Sequence, residues 1–295
     1  MSAPPLSVVV ARTDPGLRIA SCLGSLLEQA QSIGAEIILA EGSVAPLSGY
    51  ESDHLVRLRE PGASVYRLRA IGMTRARGDI IALTEDHCRV ADDWCESVLA
   101  AHRDHPDAGA IGGVVENGST GSLLHWANFL VPNGHSLAPL HPGPSRRLPG
   151  SANLSFKRWA VPEKPGEAGI MECFFVRDLA ESGVPTALDP RPRVIHDQTF
   201  DARTHLALHF HAGRSVAGFR VESARTGERL VRWLACPALP IAMLARTIAV
   251  VARKRRRDVT LWRSVPWMLA LLASHAAGES IGYVFGYGES PARLH

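Results

Sequence analysis

Ile80-Ile81-Ala82-Leu83-Thr84-Glu85-Asp86-His87-Cys88 is the stretch on which the reading of this chain turns. Four apolar residues run without interruption toward two acids and a histidine. A continuous apolar run is the pattern of a strand buried on both faces, as in the middle of a parallel sheet. The polar cluster then falls at the strand's C-terminal edge, where open α/β sheets place their ligands. Two carboxylates and an imidazole at such an edge suit a divalent cation, and with it a diphosphate. In an extended backbone Glu85 and His87 share a face while Asp86 points the other way. The plain alternative is an ordinary strand end whose acids cap the next turn.

Upstream, residues 6–10 form a short apolar, β-branched run, read as the first strand. Asp14 and Pro15 can start a helix, and Ile19, Leu23, Leu26 and Leu27 recur at helical spacing as far as Gln31. Residues 36–40 read as a second strand, ending in Glu41-Gly42-Ser43. A strand-helix-strand unit of this kind begins a right-handed parallel sheet. Asp14 and Glu41 are therefore expected on the rim that carries Glu85. Residues 54–58 suggest a third strand, and 67–77 a basic helix with Gly72 inside it.

Downstream, residues 94–103 read as a helix capped by Asp92 or Asp93, and 110–115 as a strand. Residues 118–150 are rich in Gly, Pro, Ser and His, with a short apolar helix near 123–130. So long an irregular segment is expected to be a binding loop or lid. Residues 150–158 enter a strand, 172–182 form a helix ended by Gly183, and 194–196 are a last short strand.

The 295 residues can bury one large core plus an appendage. A net charge of only +3 argues against a dedicated nucleic-acid binder. Five cysteines, odd in number and scattered without a CxxC, fit reduced thiols in a cytosolic compartment. No secretory signal is expected from the first residues.

Two apolar stretches, 230–252 and 264–287, lie near the C-terminus. Each is long enough to cross a bilayer of roughly 30 Å at about 1.5 Å per residue. Neither is clean: the first holds Arg232, Arg246, Pro237 and Pro240, the second His275 and Glu279. The basic run 253–257 lies between them. In a simple transmembrane hairpin that run would sit on the face opposite the preceding α/β domain, against the positive-inside rule if that domain is cytosolic. Half-inserted, monotopic helices keep the run on anionic headgroups at the cytosolic surface. Two spans are the alternative, and packed soluble helices the plain third reading.

The motifs, taken in order, resemble family 2 glycosyltransferases of the membrane-associated bacterial type. Ser7-Val8-Val9-Val10 stands where that family has its first strand, and Leu23-Gly24-Ser25-Leu26-Leu27-Glu28-Gln29 resembles its first helix. Ile38-Leu39-Ala40-Glu41-Gly42-Ser43 resembles a strand ending in acids, Gly and Ser. Arg69-Ala70-Ile71-Gly72 and Ala76-Arg77-Gly78-Asp79-Ile80-Ile81 resemble the approach to the metal motif. Gly150-Ser151-Ala152-Asn153-Leu154-Ser155-Phe156-Lys157-Arg158 is similar to the acceptor-side loop and strand, which puts Asn153 on the acceptor side.

The resemblance implies an α/β fold of GT-A type, a mixed, mostly parallel sheet flanked by helices, over residues 1–203. Residues 204–295 would then form a C-terminal helical, membrane-associating extension. It implies a nucleotide-sugar donor, a lipid-linked or polysaccharide acceptor, and Mn²⁺ or Mg²⁺ as cofactor. Glu85 and His87 fall at the two acid positions of the family's Asp-any-Asp metal motif, so a histidine stands where an acid is expected. His196 falls where related enzymes close the metal site. Met171-Glu172 occupies the base position, making Glu172 the base of an inverting transfer, as in hexosyltransferases. Asp14 and Glu41 would hold the base and ribose, Asp86 the ribose, and Arg69 the diphosphate.

Two rivals follow from the departures. A non-catalytic GT-A module would bind nucleotide or a partner protein. A nucleotidyltransferase would want a glycine-rich phosphate loop after the first strand, which residues 12–16 scarcely supply. His205 and His209, at i and i+4, share a helix face with a spacing zinc sites use, with His211 close by. A polar helix face is the commoner meaning of such a pattern.

Overall fold

The structure is a computed structural model that describes residues 3–13, 19–43, 47–163, 166, 168–222 and 224–294. Contacts divide it into two compact units, one holding residues up to Gly118 together with Ser136–Asp197, the other Ser119–His135 and Gln198–Leu294. The expected boundary lay between residues 203 and 204.

The first unit is built on one mixed sheet, with nine strands among the described residues. They are β1 (Leu6–Arg12), β2 (Glu36–Glu41), β3 (Leu55–Arg59), β4 (Ile80–Glu85), β5 (Cys88–Val90), β6 (Ala110–Asn117), β7 (Gly143–Pro144), β8 (Leu154–Lys157) and β9 (Thr186–His196). The order is β3-β2-β1-β4-β8-β6-β9-β5, with β7 on β9. Strands β3, β2, β1 and β4 are parallel to one another. β8 then runs antiparallel between β4 and β6. β1 and β2 are buried along their whole length, as uninterrupted apolar runs require.

Helices α1 (Ile19–Ile33), α2 (Val65–Arg75) and α3 (Trp94–Asp104) belong to this unit. α2 starts on Ser64, whose hydroxyl accepts the Arg67 N–H. It lies so close to β1 that a Cβ on Gly72 would fall 2.4 Å from Val9 Cγ1. The entry to β4 is set by buried polar contacts. Ser7 Oγ donates to Glu36, and the N–H groups of Arg77 and Gly78 close on Glu36 and Ser7.

Several strands depart from the sequence reading, among them the short β7 inside the expected lid. β5 went unpredicted, being only Cys88–Val90. β9 is eleven residues long, where residues 194–196 alone read as strand. Pro190 and Pro192 lie inside it and cannot donate to a ladder. The pairing with β6 accommodates them by a register shift between Gly112 and Val114.

The second unit is helical: α4 (Leu123–Asn133), α6 (Ala202–Val221), α7 (Thr226–Ala235), α8 (Leu239–Arg253) and α9 (Leu261–Phe285), α5 (Glu172–Glu181) belonging to the first. The apolar helix of the expected lid is thus part of the helical unit. Glycines set its packing: a Cβ on Gly213 would meet the His275 backbone at 2.0 Å, and one on Gly278 the Phe210 carbonyl at 2.0 Å. Between α6 and α9, Arg220 donates to Glu279 and to the Tyr283 hydroxyl. Among the described residues, two helical segments are long and apolar enough to cross a membrane, Thr226–Arg253 and Leu261–Phe285, their most apolar 18-residue windows having mean hydropathies of 1.9 and 1.2. The first is almost wholly uncovered, and Leu230, Val231, Trp233, Leu234 and Ile241 face outward from it.

Candidate active site

Strand register assembles the polar rim. Ala11 pairs with Glu85 and Arg12 with Glu41, so the C-terminal ends of β1, β2 and β4 lie side by side. Asp14 lies outside the described residues. After Glu85 the chain turns through Asp86 and His87 into β5, where Cys88 pairs with His196 across the β5–β9 ladder. The Asp197 N–H donates to the His87 carbonyl at 3.0 Å. That pairing brings the two imidazoles together.

His87 Nε2 is 3.0 Å from His196 Nε2 and 3.2 Å from Glu85 Oε2, and His196 Nε2 is 3.5 Å from the same oxygen. Metal bonds of about 2.1 Å in octahedral or tetrahedral geometry place neighbouring donors roughly 3.0–3.4 Å apart. The Glu85, His87 and His196 donors fit that spacing, and among the described residues they are the group able to hold an ion. Asp86 Oδ1 lies 2.9 Å from His87 Nδ1, where an outer carboxylate would fix the ring of a metal-ligating histidine.

The electrostatics follow from burial set against these contacts. Burial disfavours charge on His87, but hydrogen bonds to Asp86 and Glu85 and their negative charge prevail, and its pKa is pushed up to about 9. His196 is pushed down, by burial first and by the charge on His87. Burial also opposes ionisation of Glu85, yet bonds from His196 and His87 and the charge of Arg69 hold it well below the usual carboxylate range. Both Nε2 atoms are offered to a cation only once the proton on His87 has left. Burial and the nearby acids push the Cys88 thiol well up, so it stays protonated beside the cluster.

Glu172, the first residue of α5, stands on the other side of Arg69. Arg69 Nη2 donates to Glu85 Oε1 at 3.1 Å and Nη1 to Glu172 Oε2 at 2.9 Å. Ser151 makes a second connection: its hydroxyl donates to Glu85 Oε1 at 2.5 Å, and its N–H reaches Glu172 Oε1 at 3.4 Å.

The family described as Glycosyl transferase family 2 matches residues 7–174. The chain belongs to glycosyl transferase family 2. The matched span includes Arg69, Glu85, Asp86, His87, Asn153 and Glu172 and ends before His196. A crystal structure of GalNAc-T7 with UDP, GalNAc and Mn²⁺ is similar at a TM-score of 0.47 and 15% identity, over 66% of this chain and 43% of that one. The chain therefore spans less than half the length of that protein. A search of curated proteins returns no match.

In this family 2 chain the rim residues divide into two groups. Glu85, Asp86, His87, His196, Arg69 and Glu172 form one connected cluster. Glu41 does not join it. It is fully buried, and its oxygens take the guanidinium groups of Arg12 and Arg57 and the Leu47 N–H. Arg69, expected on a diphosphate, is buried between two carboxylates instead. Asn153, expected on the acceptor side, is also buried. Its amide donates to the carbonyls of Val114 and Pro192 and accepts from Trp94 Nε1, so it ties together the loop, β6, β9 and α3. Asp86, expected on the ribose, places Oδ1 on His87 Nδ1.

Ser151 was not singled out from sequence. It lies in the Gly150-Ser151-Ala152-Asn153 segment that carried the family resemblance, but a serine in a loop has no local mark of its partners. In the second unit, His205, His209 and His211 do not converge. His209 bonds Asn128, His205 Nε2 accepts the Phe200 N–H, and His211 bonds Ser290.

Proposed function

We propose that this glycosyltransferase moves a hexosyl group from a nucleoside-diphosphate sugar to a hydroxyl acceptor with inversion at the anomeric carbon. The observation that carries the reading is that Arg69 bonds both Glu85 and Glu172. A candidate base and a candidate cation ligand thus lie a single guanidinium apart. Glu172 takes the acceptor hydroxyl's proton as that oxygen bonds to the anomeric carbon. The bond from that carbon to the diphosphate oxygen breaks in the same displacement, and the nucleoside diphosphate leaves with the bonding pair. Glu85, His87 and His196 would hold Mn²⁺ or a similar ion. When bound, such an ion supplies Lewis-acid stabilisation of charge on the departing diphosphate. Asp86 keeps the His87 ring aimed.

The uncovered apolar face of α7 and α8 and the basic run 253–257 support a monotopic seat on an anionic bilayer. Nucleotide sugars are cytosolic, so the cytosolic leaflet is the proposed side. A lipid-linked or growing polysaccharide acceptor suits that location.

A second reading, a nucleotide-binding module without turnover, is favoured by one feature: both Glu172 oxygens are engaged inside the protein. Turnover of a panel of UDP- and GDP-sugars with Mn²⁺ separates the two. Wild type is expected to turn over one donor, with Glu172→Gln lowering kcat by about a hundred-fold or more. His87→Ala is expected to abolish the dependence on Mn²⁺. Calorimetric UDP or GDP binding with no turnover of any donor would establish the module instead. Unchanged turnover in both variants refutes the roles assigned.

A further inference from the structure

Arg69 and Ser151 close a ring. From Glu85 Oε1 it runs through Arg69 Nη2 and Nη1 to Glu172 Oε2. It returns from Glu172 Oε1 through the N–H and hydroxyl of Ser151 to Glu85 Oε1. We infer that Arg69 and Ser151 are positioning residues, which together hold the cation-side carboxylate of Glu85 and the base carboxylate of Glu172 in one fixed relative geometry. The inference rests on the proposed transferase reading for the role of Glu172 as base and of Glu85 as cation ligand.

The geometry gives each oxygen a separate task. Glu85 Oε1 takes Arg69 and Ser151, while Oε2 faces the two imidazoles. The bonds at Oε1 therefore set the rotation of the carboxylate and hence the direction of Oε2. Without the guanidinium, only the neutral hydroxyl and N–H of Ser151 would stand between Glu85 and Glu172 to offset their repulsion. Arg suits this place and Lys does not. A planar guanidinium presents separate nitrogens in fixed directions, whereas an ammonium is a single point charge. The elements on which the ring stands are themselves anchored. Arg69 rides on α2, pressed against β1 at Gly72, and Ser151 stands two residues before the buried Asn153. Arg69 is 7% exposed and bonded to two carboxylates, so little of its guanidinium is open to a diphosphate.

Ser151 makes the inference separable. Ser151→Ala removes the hydroxyl from Glu85 but keeps the N–H on Glu172, whereas Arg69→Lys disturbs both carboxylates. Calorimetry with Mn²⁺ alone reads the Glu85 side without any donor. Kinetics at saturating Mn²⁺, with the UDP- or GDP-sugar that is turned over, read the Glu172 side.

Both variants are expected to weaken Mn²⁺ binding by about ten-fold, and Arg69→Lys also to lower kcat by about a hundred-fold with little change in donor KM. Ser151→Ala is expected to lose much less in kcat than Arg69→Lys. A rise in donor KM with kcat kept in Arg69→Lys would make Arg69 a donor ligand and overturn the inference. Wild-type Mn²⁺ affinity in Ser151→Ala also overturns it, and decides the matter alone if Arg69→Lys does not fold. Should Glu172→Gln keep full turnover, the base assignment fails, while the Mn²⁺ titrations still judge the ring.

Discussion

His87 Nε2 and His196 Nε2 face each other at 3.0 Å, although 109 residues separate them in the chain. With Glu85 Oε2 they make a site of two imidazoles and one carboxylate, a softer donor set than a pair of acids. Mn²⁺, Co²⁺ or Zn²⁺ is expected to bind the purified protein far more tightly than Mg²⁺ in calorimetric titration. His87→Asp returns an acid to that position and is expected to narrow the gap. Equal affinity of the wild type for Mg²⁺ and Mn²⁺ contradicts the assignment.

Asp86 bonds His87. Its carboxylate lies on Nδ1, which leaves Nε2 aimed at Glu85 and His196. Asp86→Asn is expected to weaken Mn²⁺ binding by about ten-fold. A variant with wild-type Mn²⁺ affinity and a raised donor KM would instead return Asp86 to the ribose.

The Glu41 carboxylate is 0% exposed and holds Arg12, itself 2% exposed. Removing one member of such a pair strands the other charge in the core. Glu41→Gln is expected to cost about 3–5 kcal/mol of stability in urea unfolding. A variant that keeps its unfolding midpoint but loses nucleotide binding would show that Glu41 serves the ligand rather than the fold.

His102, on α3, is buried against the Ser155 hydroxyl. Burial first, then the charges of Lys157 and His105, push its pKa down from 6.5 to about 3. The unfolded chain therefore binds this proton first. Stability is lost as pH falls below 6.5, and the loss continues until about 3. His102→Gln keeps a side chain able to bond Ser155 but removes the titration. It is expected to flatten the pH dependence of the unfolding midpoint in that window, and an unchanged slope argues against His102 as its source.

The outward face of α7 should carry vesicle binding. Trp233 and Leu234 are 40% and 62% exposed. The double change to serine is expected to weaken sedimentation with anionic vesicles, neutral ones being expected to bind poorly from the start. Replacing Arg255 and Arg257 by serine is expected to cost about 1 kcal/mol for each cation, and less at high salt. Binding that ignores both changes would leave α7 and α8 without a membrane role.

The parallel half of the sheet was legible because its strands are written locally. Ile80-Ile81-Ala82-Leu83 and Leu6 to Val10 are apolar without alternation, and both proved to be buried strands whose ends share a rim. The helix starting at Glu172 was legible from the same kind of signal. β9 was not, because Pro190 and Pro192 interrupt its local pattern, and only a register shift against β6 carries it through. Glu41 and Asn153 show the other limit. An acid or amide at a strand end reads alike whether it faces a ligand or a buried arginine or tryptophan.

By itself, then, the order of residues determined the strand-helix-strand start, the polar rim, and the candidacy of Glu85, His87, His196 and Glu172. Apolar periodicity is a short-range property and marks the strands and helices, while the GT-A type of fold and the candidacy of His196 and Glu172 came from the family resemblance of the motifs. Which of those residues meet was decided only by the tertiary structure. The β5–β9 pairing sets Cys88 against His196 and so brings His196 to His87. The approach of α2 to β1 at Gly72 carries Arg69 to Glu85 and Glu172, the latter 103 residues away. Contacts across such separations depend on strand register and helix packing, which no local pattern of residues encodes.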